Sequence, residues 1–345
     1  MVEKTKKRIF YYDELRALAI IMVVLCHVVI LYRPFTYDTA IHSVPGLFYI
    51  LTHVAVPIFF MLSGALLLDR TYDLPGFFKK RFTRILLPFL FWAIIAAAIS
   101  VFGLHNSYGE AYKIFSGKNR WTWFVWAMMG IYLVLPIVNS FIKRYKIRGA
   151  EYFIIVWLVT VILSTFHQYP FYRLELSYFA GYMGYLVLGY WIVNKNVRIS
   201  DLNAILIGFL LFISSISIDF YVFMNNIPKI ETKYLSLFVV IASFGVFLMF
   251  KRYAHYCDTH QTSLLGRLHS KIENGKLGRA IFSISVCSYG MYLVNSLLYK
   301  IIKDFITINT LKIMPILFIG VLFLSWLFVY ALSKVPALKK FSGAG

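Results

Sequence analysis

The chain is poor in charge, and poorest in negative charge. Only 14% of its 345 residues are charged, and Asp plus Glu number 15 against 35 Lys plus Arg. A soluble globular chain carries about a quarter charged residues, so a water-facing surface of ordinary size cannot be built from this sequence. Cysteine is also scarce. Cys26, Cys257 and Cys287 stand far apart with no metal-binding or redox spacing, which leaves them as reduced side chains packed among other residues and argues against a metal site. No run of small residues suited to cleavage follows the first apolar stretch, so that stretch reads as a retained helix and not as a signal peptide. No internal repeat is evident, which weakens a transporter built from inverted halves.

What is present is hydrophobicity. Apolar residues make up 60% of the chain and the mean hydropathy is +0.72. The expected fold is all-α and polytopic, one integral-membrane domain over residues 1–345. Ten spans are expected, over 11–32, 45–68, 85–104, 122–142, 152–166, 176–194, 202–222, 234–250, 280–302 and 313–333. The net charge of +20 lies in the loops flanking these spans. That placement fits topology signals and anionic lipid, and it argues against nucleic acid as a partner. Lys and Arg concentrate in alternate loops, such as Lys79–Arg84 and Lys143–Arg148. The bias predicts an even number of spans with both termini cytoplasmic. The longest cytoplasmic loop, Lys251 to Arg279, contains a basic segment suited either to lying on the inner leaflet or to solvent.

Ionisable residues inside spans are costly and therefore informative. Asp13 and Arg16 stand at the start of the first span and His27 lies deep within it. Arg16 and His27 are eleven residues apart, which places them on one helix face about 16 Å apart along the axis. Asp13 can pair with Arg16 three residues later, but it is too far along the helix to orient His27. His53, in the second span, falls at a depth similar to His27 and is the first candidate to orient that imidazole. Glu14 and Asp219 are the deepest carboxyls. Arg81 and Arg84 enter the third span from the same side as Arg16, and a guanidinium presents a planar fork of donors that suits phosphate oxygens. For the arginine pair a plain topology anchor competes with this reading. For His27 an interhelical hydrogen bond competes in the same way. Taken together, a phosphate cradle at the mouth and a histidine further in suit an acyl-CoA thioester. Histidine is the natural group to take a proton from an attacking hydroxyl near neutral pH.

These residues carry a family resemblance. Arg16, ten residues and His27, preceded by Asp13, resemble the first-helix pattern of the membrane-bound acyltransferase family 3. VPIFFMLSGALLL (Val56 to Leu68) is similar to its second-helix motif, and Arg81 with Arg84 to its Arg-x-x-Arg. Trp123 to Val138, Gly181 to Ile192 and Ser288 to Asn295 resemble later segments, so the likeness runs over most of the chain. Departures are specific: Trp121 and Asn295 stand where many members carry histidine, and His53 where many carry arginine. Shorter members without an added hydrolase-like domain look closer. The resemblance implies an O-acyltransferase of the cytoplasmic membrane. The donor would be an acyl-CoA, acetyl-CoA foremost, with its phosphates near Arg16, Arg81 and Arg84. His27 would be the catalytic general base or a transient acyl carrier, with Asp13, His53 and Trp123 in support. The acceptor would be a hydroxyl of an envelope polysaccharide or its lipid-linked precursor. A carrier or exporter of such a polysaccharide or of a small solute, without chemistry of its own, is the alternative.

Overall fold

The computed structural model describes residues 8–32, 39–103, 105, 107–118, 122–166, 181–228, 230–305 and 311–345. Every regular element among them is helical. In a bilayer a helix satisfies its own backbone polar groups, so long apolar runs have no cheaper conformation. Among the described residues, eight helices are long and apolar enough to cross a membrane. The first is α1 (Phe10–Tyr32). The second expected span is broken: α2 (Thr39–Leu51) carries Pro45, a 3₁₀ turn follows over Thr52–Val54, and α3 (Ala55–Leu67) completes the crossing. The third is α4 (Leu74–Ala98), capped by Asp73, whose carboxylate accepts from the Gly76 amide. The amphipathic α5 (Tyr108–Phe115) follows it.

The stretch α6 (Trp123–Thr165) is 43 residues long. A straight helix of that length would run about 65 Å, twice the roughly 30 Å of a bilayer core. It turns instead at Lys146, whose φ of 50° and ψ of −133° are not helical. The fold-back is visible in the contacts of its ends. The Trp123 ring lies 5.5 Å from that of Tyr234, and Thr165 accepts from the Glu231 amide at 2.8 Å while its hydroxyl accepts from the Leu237 amide at 2.8 Å. Both ends therefore reach the same 231–237 segment, and α6 supplies two crossings, as 122–142 and 152–166 require.

The remaining spans are α8 (Asp201–Met224), α9 (Leu237–Thr259), α11 (Lys276–Phe305) and α12 (Met314–Lys334). The basic segment of the Lys251–Arg279 loop is a helix, α10 (Leu264–Asn274), and a short α13 (Lys339–Ser342) closes the described chain. Between α6 and α8 stands α7 (Met183–Asn194), only 12 residues long. The first part of its expected span, 176–180, lies outside the described residues. It is held by close backbone contact: a Cβ on Gly64 of α3 would sit 1.8 Å from the Leu186 carbonyl oxygen, and one on Gly189 of α7 would sit 2.0 Å from that of Met61. Glycine at both crossings lets the two backbones touch, which is how apolar helices gain packing energy where lipid offers no hydrophobic drive. The inner helices α1, α3 and α7, with α4, α6 and α11, enclose the principal core.

Candidate functional site

One cavity of about 690 Å³ opens among α1, α3, α4, α6 and α11, within the size range of sites for small molecules and cofactors. Its cationic end is lined by Arg16, Arg70, Lys80, Arg81 and Arg84, and no Asp or Glu among the described residues lines the cavity. Its other end is lined by His27, Cys26, Thr52, Trp123, Tyr234 and Tyr292. Arg16 and His27 thus face one space, about 16 Å apart by helical rise.

Arg16 is held by a small network. Its Nη1 donates to the Ser285 hydroxyl at 3.2 Å and lies 3.7 Å from Asp13. Ser285 in turn donates to Asp13 at 2.6 Å, and Arg8 donates to the second Asp13 oxygen at 2.5 Å. Asp13 is buried, so a carboxylate with three partners is fixed in place and fixes Arg16 with it. Arg81 lies over Phe77 and Tyr132, at 5.8 and 6.0 Å from the ring centroids. Its Nε is buried and has no hydrogen-bond partner. Arg84 borders the Gly343–Gly345 segment. This array could bind several phosphate oxygens at once, each through a charge-assisted hydrogen bond.

At the far end Nδ1 of His27 is paired with the Oδ1 of Asn295 on α11. The Asn295 amide nitrogen already donates to the carbonyls of Met291 and Tyr292, at 2.8 and 2.9 Å. That fixes the amide orientation and leaves Oδ1 as an acceptor, so the neutral imidazole carries its proton on Nδ1 and presents Nε2 as its basic atom. Asn295 therefore orients the imidazole through this nitrogen. His53 is buried at the junction of α2 and α3, edge-on to Tyr49 at 4.5 Å and to Tyr234 at 5.2 Å. Trp123 lies between Tyr182 and Tyr234, with 5.5 Å to each ring. Trp121 lies outside the described residues. Asp219 is buried in α8 and does not line the cavity.

Sequence reasoning missed Asn295 as a partner and Arg70 and Lys80 as cavity residues. Asn295 is 268 positions from His27. The two lysine- and arginine-rich loops read equally well as topology signals. The one available hint was that the family resemblance expects a histidine at the position of Asn295.

A family model described as an acyltransferase domain, that of acyltransferase family 3, matches residues 9–330. The match covers nearly all of the chain, and the protein belongs to this family. It is a multi-pass membrane acyltransferase. No curated protein and no solved structure matches it.

Proposed function

We propose that this member of acyltransferase family 3 moves an acyl group, acetyl foremost, from an acyl-CoA to a hydroxyl of an envelope polysaccharide or its lipid-linked precursor, at the cytoplasmic membrane. The observation that carries the reading is that one cavity is lined by cations and by His27 together. A CoA donor has phosphates at one end and its reactive thioester at the other, joined by a thin arm. That polarity matches the cavity. The donor enters from the cytoplasmic side, where both termini lie, and its phosphates meet Arg16, Arg81 and Arg84.

His27 acts on the acyl group in one of two ways. As general base, Nε2 takes the proton of the acceptor hydroxyl while the hydroxyl oxygen attacks the thioester carbonyl. The tetrahedral intermediate then expels the CoA thiolate, which takes the proton back from the imidazolium. As acyl carrier, Nε2 attacks the carbonyl first and CoA leaves as its thiolate; the acceptor hydroxyl then displaces the imidazole, its proton passing to the freed Nε2 and from there to the thiolate. Nδ1–H donation to Asn295 supports both, since it stabilises the positive imidazolium. Asp13 supports the reaction by holding Arg16, and His53 and Trp123 by shaping the aromatic end.

The test is transfer itself. Purified protein supplied with labelled acetyl-CoA and membrane glycolipid releases free CoA and labels the glycan. The folded His27→Ala variant does neither. Full transfer by that variant removes His27 from the chemistry. Translocation of the glycan by wild-type protein without CoA release points to the carrier reading.

A further inference from the structure

The loop between α3 and α4 is more tightly built than a topology signal requires. Asn139 of α6 is buried, and both faces of its amide are spent on one residue. Its Oδ1 accepts from the Arg70 backbone amide at 3.3 Å and its Nδ2 donates to the Arg70 carbonyl at 2.7 Å. The neighbour Asp69 has φ of 61°, and the residue facing it, Lys146 at the α6 turn, has φ of 50°. Neither is glycine, so each left-handed backbone costs energy and persists only where contacts enforce it. Here the two strained residues hold each other: Lys146 Nζ lies 2.5 Å from Asp69. Lys143 adds a 3.0 Å bond to Thr71, and Tyr190 a 3.3 Å bond to Asp69. One residue that this order positions is Arg70. Arg70 lines the cavity, and its Nε is buried without a hydrogen-bond partner.

We propose that Arg70 is a phosphate-binding residue of the donor site, and that Asn139 with the Asp69–Lys146 pair is the latch that positions it. The assignment rests on the CoA reading of the cavity. Three features favour a ligand over a structural role. An unpartnered buried guanidinium nitrogen is costly unless something fills it. The backbone of Arg70 is clamped while its side chain is left to the cavity. Arg70 lines the same cavity as Tyr72 and Arg81, so its guanidinium joins the cationic lining.

The experiment measures CoA binding to the purified full chain in lipid nanodiscs by calorimetry, for the wild type, Arg70→Gln, Asn139→Ala, their double variant and Arg81→Ala. Thermal unfolding confirms that each is folded, and Arg70→Lys tests charge alone. Loss of one charge-assisted contact predicts about 10- to 100-fold weaker CoA binding by Arg70→Gln, with partial recovery in Arg70→Lys. Asn139→Ala weakens binding several-fold. The double variant is no weaker than Arg70→Gln, because Asn139 acts through Arg70. Full CoA affinity in Arg70→Gln, with Arg81→Ala impaired, overturns the assignment and leaves the donor reading standing. Additive losses in the double variant overturn the latch. No CoA binding by the wild type overturns both the donor reading and the Arg70 assignment.

Discussion

The two ends of the cavity are built on opposite plans. The cationic end draws Arg16 from α1, Arg70 from the α3–α4 loop, and Lys80, Arg81 and Arg84 from α4. Five positive groups line one space there, and the Arg8–Asp13–Ser285 network braces Arg16 among them. The other end has one imidazole and one orienting amide, set among aromatic rings. Redundancy suits binding, where several contacts add and the loss of one is graded. Chemistry needs one atom in one place, and its loss has no substitute. The contrast implies that damage at the histidine end appears in kcat, and damage at the cationic end in the donor KM.

The largest effect follows from His27→Ala. General acid–base catalysis contributes roughly 10²- to 10⁴-fold, and kcat for acyl transfer should fall by that factor with little change in donor binding. A donor affinity that fell in step would erase the distinction between the ends. Next is Asn295→Leu, which removes the acceptor for Nδ1–H while keeping the branched outline of the side chain. A buried hydrogen bond lost this way costs about 1–3 kcal/mol, so kcat should drop by about 5- to 150-fold and binding of CoA should hold. Asn295→His supplies a polar ring in place of the amide and should retain part of kcat. Arg81→Ala or Arg84→Ala ranks third. Each should raise the donor KM by about tenfold or somewhat more, with acceptor KM and kcat nearly unchanged. Equal loss toward donor and acceptor would make these arginines folding residues. The smallest effect belongs to Arg8→Ala. Its side chain is 42% exposed, and pairs of that kind are worth about 0–1 kcal/mol. Donor KM should move by a few-fold at most, since Ser285 and Arg16 still hold Asp13.

The same contrast explains how much of the molecule was legible in the sequence. Apolar runs of the right length mark nearly every crossing, because the bilayer imposes that length on any helix that spans it. The polar run KRYKIRG separates the two crossings of α6, although the turn itself is a single residue, Lys146. Break points inside crossings were less visible: the 3₁₀ turn at Thr52–Val54 and the short α7 depend on packing against other helices. Arg16 and His27 were legible as a pair because both lie on one helix, where spacing fixes direction. Asn295 was not, since its meeting with His27 is set by the packing of α1 against α11 and by no local period. Arg70 was in plain view but looked like any other basic loop residue. Only its clamp to Asn139 and its turn into the cavity separate it from Arg144 or Arg148.

The central claim is that one cavity joins the donor's phosphates to His27. A cryo-EM structure of the protein with a non-transferable thioether analogue of acetyl-CoA measures this directly. The account predicts phosphate density within hydrogen-bonding distance of Arg81 and Arg84, with the acetyl carbonyl beside Nε2 of His27. Density for the analogue with its acetyl end away from His27, or outside this cavity, would contradict it.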